Sequence, residues 1–387
     1  MRILYHHRIR SKDGQFVHVE ELIGAFRSLG HEVRVVGPEH VETEEFGADA
    51  GWVARLKDRL PGAAYELLEF GYALHDYRKI RRAIIEFRPD LIYERYNLFL
   101  PSGIRAARAA AVPILLEINA PLYEERSRFG GLHLHRLAKW SEEYVWRNAD
   151  AVLPVTEVLA GRVRTAGVPA ARIHVIPNGI NESEFSHLPG PAEAKKRLGL
   201  EGRCVLGFVG FMRDWHGLER VVEFMARSDR TDLHALFVGD GPARAAVERR
   251  ACELELQQRV TITGVVQRGE VPAVLAAFDV ALQPAVVEYA SPLKLFEYLA
   301  VGLPVLAPDA PNIREVLQNG VNAILFDPDD DSAFARGLAR LCEDDALRRR
   351  LGAAARFTIG QRGLTWRGNA QRVVELYAGL KPGGTGR

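Results

Sequence analysis

Short apolar runs alternate with helix-length amphipathic stretches along this chain, and the pattern is played through twice. In the first half the runs that read as strands are residues 3–6, 32–36, 91–94, 113–117, 151–154 and 173–176. Amphipathic segments fit between them: 16–29, closed by Gly30 as a C-cap, and 78–87, stopped by Pro89. After a turn-rich linker at 177–183 the grammar restarts, with strands at 204–209, 233–238, 260–262, 280–282, 305–307 and 323–326. Strand-length runs separated by helices predict βαβ units, that is, parallel sheets covered by helices on both faces. The expected fold is therefore α/β, with two Rossmann-like doubly wound domains facing a central cleft. A chain of 387 residues is long enough for two such cores. Ligands of open α/β sheets bind beyond the carboxyl ends of the strands, so the chemistry is sought there.

Charge narrows the partners. With a formal net charge of +1, no global field favours nucleic acid. The opening Met1-Arg2-Ile3-Leu4-Tyr5-His6-His7 reads as a first strand rather than a signal peptide, and no apolar run approaches the roughly 20 residues that cross a bilayer. Cys204, Cys252 and Cys342 are odd in number and lack metal-ligand spacing, so a reduced cytoplasmic setting is expected. Two basic stretches, 52–60 and 78–82, read either as solvated helix faces or as a peripheral contact with an anionic membrane. The tail after Lys381 reads as disordered.

The most informative segment is 291–305, Ser-Pro-Leu-Lys-Leu-Phe-Glu-Tyr-Leu-Ala-Val-Gly-Leu-Pro-Val. Serine as N-cap and proline at the first helical position predict a helix that starts at Pro292 and closes at Gly302. The free amides and positive dipole end of such a start suit a phosphate. Lys294 and Glu297 lie three apart on one face, with Leu295 and Leu299 forming the buried stripe. That charged face meets a ligand, with Glu297 one turn on to hold a ribose diol, or it carries a surface ion pair. Gly239-Asp240-Gly241-Pro242 ends a strand and reads as a tight βα turn or a nucleotide-side loop. The first strand lacks three spaced glycines after it, which counts against an ordinary NAD or FAD enzyme. The acidic run 327–331 sits before a helix, where aspartates cap, so no metal is expected there.

The segment at 291–305 resembles the donor-binding signature of the family 4 glycosyltransferases, retaining enzymes of the GT-B fold. Other pieces follow in that family's order: Gly30-His31-Glu32-Val33, Ile176-Pro177-Asn178-Gly179-Ile180 with Phe185, Phe208-Val209-Gly210, and Val238-Gly239-Asp240-Gly241-Pro242. The likeness covers nearly the whole chain and is strongest from about Ala149 to Pro328.

The resemblance implies a retaining, metal-independent transfer of a sugar from a nucleoside-diphosphate sugar, UDP- or GDP-linked, needing no cofactor. It implies an acceptor domain at 1–182, a donor domain at 183–362, and a C-terminal helix at 363–380 returning to the first. Glu297 resembles the second glutamate of the family's paired-glutamate motif, against the donor ribose. The first would fall at Tyr289, with Glu288 one place earlier, and backbone amides around Ser291, Pro292 and Leu293 share that role. Arg213 matches the arginine of the family's diphosphate-binding pair, with His216 or Lys294 as the second cation. Gly14, with Gln15 and His18 behind it, matches the loop that brings amides near the diphosphate, and Gly210, Gly239 and Asp240 line the nucleotide side. Where many relatives carry a histidine, this chain has Glu117 and Asn119; they read either as orienting an acceptor hydroxyl, with the glutamate placed to accept its proton, or as strand-end polar residues with purely structural hydrogen bonds. The acceptor is a sugar, a lipid-linked or polysaccharide precursor, or a small molecule. Rival readings are a nucleotide-sugar epimerase or synthase of the same fold, and a two-lobed sugar- or nucleotide-binding protein, which the lack of a signal peptide disfavours.

Overall fold

A computed structural model describes residues 1–9, 14–38, 60–330 and 332–380. The expected basic stretch at 52–60 thus lies outside the described residues except for Leu60, as does the tail from 381. The chain divides into two compact units, Met1–Pro177 with Tyr289–Ser291 and Trp366–Arg387, and Asn178–Glu288 with Pro292–Thr365.

In the first unit five parallel strands, β1 (Arg2–His6), β2 (Glu32–Val36), β3 (Leu91–Arg95), β4 (Ile114–Ile118) and β5 (Ala151–Pro154), lie in the order β2-β1-β3-β4-β5. Every residue of β3, β4 and β5 is buried, as continuous apolar runs covered on both faces must be. The order reverses between β1 and β3, which pair directly, with His6 opposite Glu94. That reversal opens the crevice where such sheets take ligands. The helix Gly14–Ser28 follows β1, and the last helix, Trp366–Leu380, packs along it.

The second unit continues with β6 (Cys204–Val209), β7 (Leu233–Val238), β8 (Val260–Ile262), β9 (Val280–Leu282), β10 (Val305–Pro308) and β11 (Ala323–Phe326). They form one parallel sheet in the order β11-β10-β9-β6-β7-β8, the arrangement of dinucleotide-binding domains, with its reversal between β6 and β9. Phe208, Phe237, Leu206 and Leu282 pack on one face with Met225 and Leu338, while Val205, Leu236, Phe296 and Leu299 fill the other.

Two local expectations need correction. Residues 173–176 form no strand; only Ile173 bridges to Val152, with His174 N–H donating to Val152 C=O and Ile176 N–H to Pro154 C=O. The chain then reaches Pro177, which has no N–H to extend a ladder. The signature helix runs Leu293–Val301, one residue later than expected. Pro292 sits at the cap with ψ 121 and no side-chain hydrogen bond caps the helix, so Ser291 is one place too early to serve. Pro292 is itself extended rather than helical, which moves the cap from Ser291 to Pro292. At the other end Gly302 closes the helix in the left-handed region, φ 83, as expected.

Candidate functional site

In the second unit the carboxyl ends of β6 and β7 turn sharply side by side. Gly210 (φ 129) and Gly239 (φ 137) both adopt backbone that side-chain-bearing residues avoid. A Cβ on Gly239 would stand 2.2 Å from the Gly210 carbonyl oxygen, so neither loop tolerates a side chain between them. Asp240 holds this turn: one oxygen accepts from Gly241 N–H at 2.7 Å and the other pairs with Arg244 at 3.1 Å.

The signature helix is bolted across the crevice by one residue. The buried Tyr298 hydroxyl accepts from Val209 N–H at 3.0 Å and donates to Leu282 C=O at 3.2 Å, tying the ends of β6 and β9. One turn earlier on the same helix, Lys294 is half-buried, its Nζ 3.7 Å from the Phe208 ring centroid and 3.4 Å from His216 Nε2. His216 Nδ1 accepts from Arg213 N–H at 3.1 Å, which leaves the ring proton on Nε2 facing Lys294. Two donors therefore converge where an anion would satisfy both. Burial, with Lys294 and Arg213 nearby, pushes the His216 pKa down to about 2, so the ring stays neutral. Burial lowers Lys294 to about 7, against the opposing pull of Glu297.

Among the described residues neither Lys294 nor Glu297 makes an ion pair, so the alternative of a surface salt bridge does not hold. Burial raises the Glu297 pKa; Arg268 and Lys294 act in the opposite direction. Arg213 is exposed, its guanidinium 5.1 Å from the Phe211 ring centroid. The structure thus brings Arg213, His216, Lys294, Glu297, Gly210, Gly239 and Asp240 onto the strand ends and signature helix of one unit, with Pro292 and Leu293 at the helix start.

Tyr289 and Ser291 cluster with the first unit instead. The Tyr289 carbonyl accepts from the Thr156 hydroxyl at 3.0 Å and its ring lies under Arg162, at 5.1 Å. Burial, with Glu125 adding to it, pushes the Tyr289 phenol up to about 12. In that unit Glu117, at the end of β4, is enclosed by donors: Arg95 Nη1 at 2.6 Å, the Tyr93 hydroxyl at 2.7 Å, His18 Nε2 at 2.9 Å and the Asn119 amide in a short contact. The His18 ring centroid lies 4.6 Å from that of Trp366. Gly14 opens the helix that carries His18. The carboxylate stays ionised far below the usual range: burial opposes this, but His18, Arg95 and these hydrogen bonds outweigh it. That is a poor proton acceptor, so the role of base expected for Glu117 is not supported by its surroundings.

A second buried cluster occupies the crevice between β1 and β3 and was not foreseen. His6 Nδ1 meets Glu94 at 2.7 Å, His6 Nε2 meets Asp76 at 3.1 Å, and the Ser102 hydroxyl donates to Asp76. Burial lowers the His6 pKa, but Asp76 and Glu94 outweigh it and raise it to about 10. The signal was available: Tyr93-Glu94-Arg95 puts polar groups at the end of an apolar strand, where active-site residues of open sheets collect. Of the acidic run, Asp330 accepts from Ser332 N–H at 2.8 Å and pairs with Arg336 at 2.6 Å, in the turn before the helix Ala333–Glu343, which no side chain caps.

Residues 12–184 match the family model for Glycosyltransferase Family 4 and residues 192–357 that for glycosyl transferases group 1. The 2-deoxystreptamine glucosyltransferase of Streptomyces kanamyceticus is 31% identical over 307 residues, covering 76% of this chain and 78% of that enzyme. The chain belongs to the family 4 glycosyltransferases. A second relative from the same organism, an alpha-D-kanosaminyltransferase, is 27% identical over 63% of this chain, and the match spans 65% of its length, just under two thirds. The Anabaena protein HepE, solved in complex with UDP, superposes with a TM-score of 0.77 at 19% identity, covering 98% of this chain and 100% of that one. The fold of this glycosyltransferase is accordingly GT-B, and its relatives are hexosyltransferases. Among the described residues no helix is long and apolar enough to cross a membrane.

Proposed function

We propose that this glycosyltransferase moves a hexosyl group from a UDP- or GDP-sugar to a hydroxyl-bearing acceptor, with retention at the anomeric carbon and without a metal. The observation that carries the reading is the convergence of the Lys294 ammonium and the His216 Nε2–H beside the Gly210 and Gly239 turns. Cleavage of the bond between the anomeric carbon and the diphosphate places negative charge on the departing oxygen, and donors already aimed there lower the barrier without reorganising. Arg213 adds a planar fork able to grip a second phosphate oxygen. Glu297, with no ion-pair partner of its own, accepts from the ribose hydroxyls. In the balanced step the acceptor oxygen bonds to the anomeric carbon on the face the diphosphate leaves, and the acceptor proton passes to the departing phosphate oxygen.

The uridine form is favoured by HepE, which was solved with UDP. A small polyhydroxylated acceptor is favoured by the 2-deoxystreptamine enzyme, the relative with 31% identity. Peripheral membrane contact draws on the helix Gly62–Phe87, where Leu67, Leu68, Leu74 and Ile85 are each more than half exposed on the helix that also carries Arg78 and Arg82. Salt-sensitive binding to anionic vesicles supports that contact, and no binding at low salt removes it.

The test is a melting panel with UDP, GDP, ADP, CDP and NAD, with and without EDTA. A ligand that binds only the folded state raises Tm. Stabilisation by one diphosphate, insensitive to EDTA and lost in Glu297→Ala, is expected. No shift with any nucleotide at millimolar concentration defeats the proposal.

A further inference from the structure

The Glu117 carboxylate has about four lone-pair positions, and four donors fill them. Arg95 and the Asn119 amide meet one oxygen; Tyr93 and His18 meet the other. No lone pair remains for a proton from a substrate. The Asn119 amide is different. Its nitrogen must face Glu117, because its oxygen in the same place would meet a carboxylate oxygen. Its carbonyl oxygen is therefore turned away from Glu117 and has no hydrogen-bond partner among the described residues, on a half-buried residue just past the end of β4.

We propose that Asn119 receives the hydrogen of a substrate hydroxyl on this carbonyl oxygen, and that Glu117 is a positioning residue that fixes the amide, itself held by Arg95, Tyr93 and His18. This rests on the transfer reading above, and it divides a role that the sequence left shared between Glu117 and Asn119. An amide oxygen accepts a hydrogen bond but takes no proton at neutral pH. It orients the hydroxyl oxygen towards the anomeric carbon, and the proton leaves with the diphosphate. The ring of Trp366, against His18, extends this support to the last helix.

The decisive variant is Asn119→Asp. It sets two carboxyls in hydrogen-bond contact, and such a pair holds one shared proton up to a raised apparent pKa. While that proton is present, the introduced acid donates its O–H to Glu117 in place of the amide N–H, and its other oxygen stands where the amide oxygen stood. When the proton is lost, the two charges repel and the geometry goes. Release of UDP from UDP-glucose, or of GDP from GDP-mannose, is measured from pH 5.5 to 8.5 with 2-deoxystreptamine as acceptor or with water alone. Asn119→Ala is expected to lose about 10- to 100-fold in kcat/KM at every pH, with stabilisation by UDP or GDP unchanged. Asn119→Asp should match that loss at pH 8.5 and recover towards wild type at pH 5.5.

Wild-type protein that transfers while Asn119→Ala keeps its kcat/KM overturns the inference alone, as does an Asn119→Asp loss that is flat with pH. Wild-type protein that neither gains stability from UDP or GDP nor releases them overturns the transfer reading and this inference with it.

Discussion

On the proposed reading, Lys294 should make nucleotide affinity depend on pH in a window where an ordinary lysine would not. Its ammonium is half-buried against the Phe208 ring, with His216 Nε2 at 3.4 Å, and burial brings its pKa to about 7. The sign follows directly. In the free protein the side chain is about half protonated at pH 7 and almost neutral at pH 9, whereas a bound diphosphate returns its pKa towards the ordinary value of about 10.4. Binding must then take up a proton, about half of one at pH 7 and nearly one at pH 8. His216 stays neutral throughout, with its pKa at about 2. UDP contributes little of its own, since a second phosphate ionisation near pKa 6 is largely complete by pH 7.

With one linked proton and a free-state pKa of about 7, the Kd for UDP rises about 50-fold between pH 7 and pH 9, on the order of 2 kcal/mol. Isothermal titration of UDP at both pH values, in two buffers of different ionisation enthalpy, measures affinity and proton uptake together. Lys294→Met should bind weakly and flatly across the window. It should also melt higher than wild type near neutral pH, since the methionine removes a half-buried charge that has no carboxylate partner. A wild-type Kd that is flat from pH 7 to 9 refutes the depressed lysine. Unchanged UDP affinity in Lys294→Met refutes its place at the diphosphate.

Three further outcomes follow from single residues. Tyr298→Phe strands the Val209 N–H in the core, at about 1–3 kcal/mol; for a unit of this size that lowers Tm by roughly 2–4 °C per kcal/mol, read by calorimetry. Gly239→Ala forces a Cβ to within 2.2 Å of the Gly210 carbonyl and a φ of 137 onto alanine, so UDP stabilisation should vanish while far-UV circular dichroism stays native. The His6 pKa is raised to about 10 despite burial, because Asp76 and Glu94 outweigh it. A histidine raised in the folded state gives stability that is full below about pH 6.5 and lost as pH climbs towards 10; Tm should fall across that interval, and less so in His6→Gln.

What was legible in the sequence was whatever periodicity and turn chemistry record locally. The strands at 204–209, 233–238, 260–262 and 280–282 lie where the apolar runs put them. Gly302 closes its helix because only a residue without a side chain enters the left-handed region cheaply. The errors arose where tertiary context decides. Ser291 and Pro292 make a good cap in isolation, but the chain enters the helix one residue later. Residues 173–176 alternate like a strand, yet they keep only a bridge to β5. Long-range polar partners were out of reach. Nothing local to Glu117 shows that His18, 99 residues earlier, occupies its second oxygen, or that Asp76 reaches His6 across 70 residues.

The two units treat charge at their strand ends in opposite ways, and the difference suits what each would have to bind. Among the described residues at the ends of β1, β3 and β4, charges are paired within the protein: Glu117 with Arg95, and His6 with both Asp76 and Glu94. Matched charges hold geometry without attracting ions, and what remains to face a substrate is the neutral carbonyl of Asn119. That is enough for a hydroxyl, which needs orientation more than electrostatic pull. At the ends of β6 and β9 the matching is withheld. Lys294 is given a neutral histidine and an aromatic ring instead of a carboxylate, and Glu297 is given no ion pair. A lysine paired with an acid would have to break that pair before gripping a diphosphate, and the cost would come out of binding. Leaving it unpaired stores the interaction for the anion, at the expense of a depressed pKa and a proton taken up on binding. Supplying the missing carboxylate makes this testable. His216→Glu would place an acid next to Lys294, since the ring nitrogen it replaces lies 3.4 Å from Nζ. It should restore an ordinary lysine pKa and remove the pH dependence of UDP binding, while weakening that binding at pH 7. Undiminished UDP affinity in that variant would show that the unpaired lysine is not what the site depends on.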